Sequence, residues 1–577
     1  MAGALVVAFS VLVFRLFQLQ IYQGDQYKQR AEHNHIRQIA IIPPRGVIYD
    51  RNKTVLAENR PRYSFFLVPF EYNNHPEDAG KIESLLAISN TEIKNRISER
   101  SLNPFRPFRL ISDVDFSMIA EYEESRNDYP GLFYQIEPVR SYPSEANMSH
   151  VLGYLGEISS SEAKQKPFSR FEWGDIIGKS GIEKEYNRQL WGKRGYRYVE
   201  VDVRGHEVGN FSGLRDVDPI PGQNLMLTLD AQLQLLAESL FQGRRGALVV
   251  MDPAQGDILA YVSSPDFSLD ALVNPSTNMW AQLLSNSSLP LLNRGIQAQL
   301  PPGSTFKLVT AMAGLKQGVN WQDEVNCPGY YRIGRRLFHC WDHEGHGDVN
   351  MKQAIARSCN VYFYQMGMSL GIDRWSDEAK QWQFGEKTNI DLPDEKSGLL
   401  PSRKYMDDKF GSGKWSPAIQ ANIAVGQGDL LVTPVQMLRM VSAIAMRGTA
   451  VVPHVIRGFE NRERSIWERI SPQFQLIGDL PKEKLEVIID GMYAAVNQAG
   501  GTATASGLPN VAVCGKTGTA QNPNGDPHAW YVGFAPKEEP RLSIVVLVEN
   551  GGSGGAVAAP LAGQVFRFAY SHGMFSK

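Results

Sequence analysis

The sequence predicts an α+β multidomain protein with three parts: an N-terminal transmembrane helix, a β-rich pedestal domain, and a C-terminal domain whose antiparallel sheet is flanked by helices. Three observations lead there. The chain has 577 residues, too many for one hydrophobic core. One stretch, at the N-terminus, is apolar enough for a bilayer. The remainder alternates period-two runs with helical spacing, punctuated by 52 glycines and 33 prolines. Apolar residues at 43% and charged residues at 21% exclude a disordered or collagen-like chain. A net charge of −2 gives no reason to expect nucleic acid as a partner.

The first element is "MAGALVVAFSVLVFRLFQLQIYQ", uncharged through Phe14 and apolar again past Arg15. It is about one membrane helix long if Arg15 reaches back to the headgroups. No small-residue cleavage site follows and no basic region precedes it, so residues 1–22 read as an uncleaved signal anchor. The alternative is an amphipathic core helix. The lack of cytoplasmic residues before Met1 points to a trimmed start. Residues 23–215 form the expected pedestal, dimerisation-like in character. Strands are expected around "GVIYD" and "YSFFLVP", charge-rich helices over 76–127, then strands at "GLFYQIEPVRSYP" and "YRYVEVDVRGHEVGN". No catalytic spacing of titratable residues occurs there. The turn-rich "LRDVDPIPGQNLMLTLD" marks the boundary, and residues 216–577 form the last domain. That domain begins with a helix from Ala231 to Phe241 and a hairpin, "GALVVMDPAQGDILAYVSSP", turning at Gln255 and Gly256. Three more strands, "NVAVCGKTGTA", "AWYVGFAP" and "RLSIVVLVEN", precede a final helix at Ala558 to Tyr570.

Three short motifs carry chemistry. "PPGSTFK" sets Ser304 and Lys307 on one face of a helix start. A lysine whose pKa is lowered can take the proton of a serine hydroxyl, and a helix N-terminus favours the oxyanion that develops. Alone this pattern is cheap, since Ser161 and Lys164 match it too. Ser358 and Asn360 add Ser-x-Asn, and Lys516, Thr517, Gly518 and Thr519 add a Lys-Thr-Gly strand edge. The motif starts lie 54 and then 158 residues apart, the order found in penicillin-recognising serine acyltransferases.

On these motifs, and on "RGVIYDR", "HVLGYLGEIS", "GIEKEYNRQLWGKRG", "NRGIQAQLPPGSTFK", "GQGDLLVTPVQM" and "VENGG", the chain resembles the class B penicillin-binding proteins over nearly its whole length, most closely the elongation type, penicillin-binding protein 2. The resemblance implies a penicillin-binding transpeptidase domain that cross-links peptidoglycan stem peptides during elongation and rod-shape maintenance, and that β-lactams inhibit. It implies a single-pass protein of the cytoplasmic (inner) membrane with its catalytic domain in the periplasm, no glycosyltransferase domain, and no cofactor for catalysis. Carried over by position, Ser304 is the nucleophile, Lys307 its base, and Ser358 a proton relay. Asn360 bonds Lys307 and the substrate amide, Lys516 supplies charge, and Thr517 and Thr519 hold the substrate carboxylate. The N–H groups of Ser304 and Thr519 form the oxyanion hole, and Gly518 leaves room for substrate. A DD-carboxypeptidase side activity, a RodA-like SEDS glycosyltransferase and an MreC-like scaffold protein are implied alongside. Two rivals differ in class: a scaffold or activator of the glycosyltransferase with secondary acyltransferase activity, and a serine β-lactamase. The lactamase would need a deacylating glutamate, for which only Glu386 and Glu395 are placed, outside the Glu-x-x-x-Asn pattern.

Cys327, Cys340, His346 and Cys359 follow the order Cys-x₁₂-Cys-x₅-His-x₁₂-Cys and are expected to bind one structural Zn²⁺; the resemblance implies a metal site here in certain family members, while others lack these ligands. Cys359, between two cleft-facing residues, should point into the protein wall. The competing readings are a Cys327–Cys340 disulfide, three buried free thiols, or replacement of one ligand by His339, His343 or Asp342. Cys514 is expected to be a small core residue.

Overall fold

The computed structural model describes residues 2–22, 36–100, 104–105, 107–164, 171, 174–201, 207–211, 214–273 and 275–576. The first residues of the expected pedestal, 23–35, and residues 202–206 of its last alternating run lie outside these. Helix α1 (Ala2–Phe17) continues as a π-helical turn, Gln18–Tyr22. Its apolar side chains Val6, Phe9, Phe14 and Phe17 are more than half exposed. Among the described residues no helix is long and apolar enough to cross a membrane; α1 has 16 residues where a span needs about 20.

Strands β1 (Ile36–Ile41), β2 (Ile48–Tyr49) and β3 (Val55–Leu67) open the folded body. The far end of β3 pairs antiparallel with β4 (Phe108–Ser112), and its length with β5 (Leu132–Ser141). Helices Ala79–Leu86, Asn90–Arg100 and Phe116–Glu124 close over Phe65, Leu67, Leu110 and Leu132 as a separate small core. Strand β4 lies inside a stretch that charge pattern alone reads as helical: Leu110 is buried against that core while the outer half of β3 satisfies its backbone. Strands β6 (Gly195–Val201) and β7 (Glu207–Asn210) complete a sheet on β1. Strand β8 (Leu225–Leu227) follows the Pro/Gly turn.

The second half starts with α2 (Ala231–Leu240), where the Asp230 side chain accepts from the backbone of Gln232 and Leu233. Strands β9 (Gly246–Met251) and β10 (Ile258–Ser264) follow, then α3 (Lys307–Lys316), α4 (Asn360–Gln381) and α5 (Pro434–Ala445). The chain ends with β11 (Ile456–Asn461), β12 (Ile466–Arg469), β13 (Cys514–Ala520), β14 (His528–Ala535), β15 (Leu542–Val548) and α6 (Ala559–Ser571). Five strands form an antiparallel sheet in the order β10-β9-β15-β14-β13. Alternate residues serve opposite cores. Leu248, Val250, Ile544 and Val546 pack with Leu233, Val565 and Phe566 of α2 and α6. Val249, Met251, Val545 and Leu547 face the larger core with Val309, Met437 and Val441. Both faces are covered, so these strands read as unbroken apolar runs rather than alternating ones. Strand β13 stands at the edge of the sheet, where a site can open.

The two halves share one sheet. Strand β8 pairs parallel with β2 and antiparallel with β11, inside a seven-stranded sheet that takes strands from both. Beside it, buried Glu183 accepts a hydrogen bond from Arg45 Nε at 3.0 Å and is ion-paired with Arg140, whose Nε lies 2.8 Å from Oε1.

Candidate active site

Ser304 lies in a 3₁₀ turn, Gly303–Phe306, that leads into α3 at Lys307. With about three residues per turn, positions i and i+3 eclipse, so Ser304 and Lys307 stand in line more closely than on an α-helix. The turn is held by close backbone approach. Gly303 has φ +55° and its N–H donates to the Gly426 carbonyl at 2.9 Å. A Cβ on Gly426 would lie 2.0 Å from the Gly303 carbonyl oxygen. Gly518 of β13 faces the same turn: a Cβ there would meet the Pro302 carbonyl at 2.8 Å and Thr305 Cγ2 at 3.0 Å. The glycine therefore admits the nucleophile's own turn against the strand.

Lys307 is fully buried, and its ammonium donates to the Ser358 carbonyl and Asn360 Oδ1, each at 2.7 Å, and to Ser358 Oγ at 3.3 Å. Lys516, also fully buried, donates to Ser358 Oγ at 2.8 Å and to the Thr517 carbonyl at 3.0 Å. The Ser358 hydroxyl thus bridges two lysines. Ser358 adopts φ +57°, a left-handed conformation that costs a serine energy and turns its side chain back to the cleft. Asn360 begins α4, and its Nδ2 donates to the His339 carbonyl at 3.3 Å, so one of its amide protons is committed within the protein. The Ser304 hydroxyl is half-buried and has no hydrogen bond to Lys307 or to any other described residue, a looseness common in unliganded sites. Burial pushes the Lys307 amine down to about 8, opposed by the sulfurs of Cys359, Cys340 and Cys327. Burial first, and Lys307 second, hold Lys516 well below the ordinary lysine range.

Behind this wall sit Cys327, Cys340, His346 and Cys359. One donor atom from each lies within 4.8 Å of the others, and His339, His343 and Asp342 are not in the group. His346 Nδ1 is 3.5 Å from both Cys327 Sγ and Cys340 Sγ. A tetrahedral ion with bonds of about 2.3 Å to sulfur and 2.0 Å to nitrogen sets a sulfur–nitrogen edge of about 3.5 Å. All four cysteines are free, so the alternative Cys327–Cys340 disulfide is not formed. Cys359 is fully buried, with its sulfur in this group. The Asn360 N–H approaches Cys340 Sγ at 3.4 Å, which ties the cluster directly to the second motif. Hydrogen bonds from the Cys359 thiol, His346 and backbone groups push the Cys340 thiol down.

Several site residues escape motif reading. Thr502 Oγ1 lies between the Ala356 carbonyl at 3.3 Å and Thr517 Oγ1 at 3.0 Å. Gln427 Nε2 donates to the Thr519 carbonyl at 3.2 Å and its Oε1 accepts from the Gln521 N–H at 3.3 Å, bracing the strand edge. Gln427 falls in "GQGDLL", which the resemblance includes without assigning a role; Thr502 carries no spacing signal at all. The second Ser-x-x-Lys match, Ser161 and Lys164, starts a capped surface helix in the first half.

Residues 246–567 match the penicillin-binding protein transpeptidase domain, and residues 40–227 the penicillin-binding protein dimerisation domain. The chain is 32% identical to the peptidoglycan D,D-transpeptidase MrdA of Acinetobacter baumannii, over 98% of this chain and 86% of that protein. Its fold is similar to a penicillin-binding protein, PBP2, from Helicobacter pylori in complex with MreC (TM-score 0.81, 31% identity, 93% of this chain and 100% of that one). It is also similar to a chain from a structure of a peptidoglycan synthase complex that coordinates polymerization and crosslinking (TM-score 0.72, 30% identity, 98% and 96% of the two chains). The nucleophile turn, the lysine-bridging serine and the Lys-Thr-Gly edge strand meet at one cleft in a chain that, by these matches, belongs to the penicillin-binding protein transpeptidase family.

Proposed function

We propose that the protein is a peptidoglycan D,D-transpeptidase that works through a Ser304 acyl-enzyme. The observation that carries this reading is Ser358 Oγ held between Lys307 and Lys516, beside the turn that presents Ser304. Lys307, as the neutral amine, takes the Ser304 proton as Oγ bonds to the penultimate D-Ala carbonyl. Collapse of the tetrahedral intermediate breaks the peptide bond. The leaving D-Ala amine receives a proton through Ser358, which Lys516 reprotonates. The amine of a second stem peptide then attacks the ester, its proton passing through Ser358 to Lys516 while Lys307 returns a proton to Ser304 Oγ, which releases the serine and closes the cross-link. Thr519, exposed at the edge of β13, and Thr517 stand where the donor carboxylate would lie.

A β-lactamase reading is disfavoured by Glu395, which is buried and bound to the Thr388 N–H and hydroxyl at 2.7 and 2.6 Å and to the Asn389 N–H at 3.0 Å. A carboxylate so occupied is a turn brace and not a free base. Intact-protein mass spectrometry after exposure to a penicillin tests the reading. A stable adduct on the Ser304 peptide is expected; rapid drug turnover without an adduct would transfer the assignment to a lactamase.

The same reading assigns Zn²⁺ to Cys327, Cys340, Cys359 and His346, where it would supply a fixed tetrahedral tie between the 327–346 loop and the second motif. It also assigns α1 with its π turn as the membrane anchor. Residues 2–22 span about 31 Å at 1.5 Å per residue, and their exposed apolar surface fits lipid better than water. The catalytic domain would then face the periplasm, and the first half would serve as pedestal for a SEDS-type glycosyltransferase and an MreC-like scaffold, in keeping with the complexes that contain its structural neighbours. Ser304→Ala separates catalysis from scaffolding: lost penicillin labelling with retained stimulation of glycan polymerisation would make the scaffold an independent role.

A further inference from the structure

Arg357 immediately precedes Ser358 and is half-buried, and among the described residues its guanidinium has neither a hydrogen bond nor an ion pair. Its backbone is pinned on two sides. The N–H donates to the Gln353 carbonyl at 2.9 Å, and the carbonyl accepts from Trp341 Nε1 at 3.0 Å. The side chain runs beside the loop that leads to β13: a methyl on Gly500 would lie 3.9 Å from Arg357 Nε. Two residues on, the Thr502 N–H donates to the Ala356 carbonyl at 3.2 Å, and the Thr502 hydroxyl accepts from Thr517 Oγ1 at 3.0 Å. The guanidinium therefore runs beside the 500–502 loop, whose Thr502 reaches Thr517.

The other groups assigned to the donor carboxylate are largely spent within the protein. Lys516 gives its protons to Ser358 Oγ and the Thr517 carbonyl, and Lys307 to Ser358 and Asn360. Thr517 donates to Thr502. Thr519 Oγ1 accepts from the Gly554 N–H at 3.3 Å, which leaves its own proton for a ligand. One hydroxyl is a weak counterpart for an ionised carboxylate removed from water. An arginine without a partner among the described residues, on the loop next to Thr502, answers that need, because its planar fork pairs with both carboxylate oxygens.

We propose that Arg357 is a substrate-binding residue that receives the free carboxylate of the donor peptide's terminal D-Ala, and the corresponding carboxylate of a β-lactam, beside Thr517 and Thr519. The assignment rests on the Ser304 acyl-enzyme reading and adds to it the residue that selects a free carboxyl terminus.

The test compares two forms of one acylating agent: benzylpenicillin, with its carboxylate, and benzylpenicillin methyl ester, without it. Acylation rate constants at Ser304 are measured for the full chain and for Arg357→Gln and Arg357→Lys, with thermal melting as a check on folding. Arg357→Gln should slow benzylpenicillin by about ten- to a hundredfold, in line with loss of a charge-assisted pair, and leave the ester's rate unchanged. Arg357→Lys should recover part of the benzylpenicillin rate. Equal losses for both compounds would show that Arg357 only braces the loop, and an unchanged benzylpenicillin rate in Arg357→Gln would show that it touches no carboxylate; either overturns the proposal. If neither compound labels the unmodified protein, the acyl-enzyme reading falls first and the proposal with it.

Discussion

At the scale of single residues, the proposed chemistry depends on a lysine whose pKa burial lowers. Burial lowers Lys307 to about 8, so at pH 7 the ammonium predominates, and its bonds to Ser358 and Asn360 suit that form. A general base must be neutral. The acylation rate with a penicillin should therefore rise with pH from 6 and level off above about 8; a flat profile would remove Lys307 from the role. Ser304→Ala should abolish covalent labelling without lowering the melting temperature, since the hydroxyl is half-buried and makes no hydrogen bond to a described residue. Labelling that survived the change would place the nucleophile elsewhere.

Among the elements, the loop 327–346 and the start of α4 are joined through sulfur. Protein purified without added metal or a polyhistidine tag should carry about one zinc per chain, measured by elemental analysis. His346→Ala should release the metal, lower the melting temperature and slow acylation of Ser304, although residue 346 lies behind the wall of the cleft. Acylation unaffected by loss of the metal would confine the cluster to stability. The nucleophile turn depends on contact between backbones. In Gly426→Ala the new methyl would fall 2.0 Å from the Gly303 carbonyl at a residue with φ +77°, so about 2–4 kcal/mol of destabilisation is expected in urea unfolding. Acylation should fall with it, because relief of the clash moves Gly303 and Ser304.

For the whole molecule, the sheet shared through β8 predicts that the two halves lose structure together. Calorimetry should show one transition for both, whereas two well-separated transitions would contradict the coupling. Glu183→Ala would leave Arg45 and Arg140 buried without their carboxylate and should cost about 3–5 kcal/mol. Removal of residues 2–22 should release the protein from membranes on fractionation and leave penicillin labelling of Ser304 intact.

The three motifs that supply the proposed catalytic residues were legible as short patterns, a serine three residues before a lysine, a serine two before an asparagine, a lysine on a strand edge, while their roles came from the resemblance those motifs carry; the cysteine–histidine set was picked out by residue type and order. The strands of the central sheet were legible for a related reason, since burial on both faces writes an apolar run directly into the sequence. Contacts between distant segments carry no such record. That β4 is a strand, that β8 joins both halves, that Gly518 faces Pro302, that Thr502 bonds Thr517 and that Arg357 runs beside Gly500 all depend on segments tens to hundreds of residues apart closing on one another. The sequence by itself determined which groups can do chemistry, because reactivity belongs to the side chain. Tertiary structure alone decided which hydroxyl lies between two lysines and which arginine runs beside the loop to β13, because pairing and burial are properties of the assembled cleft.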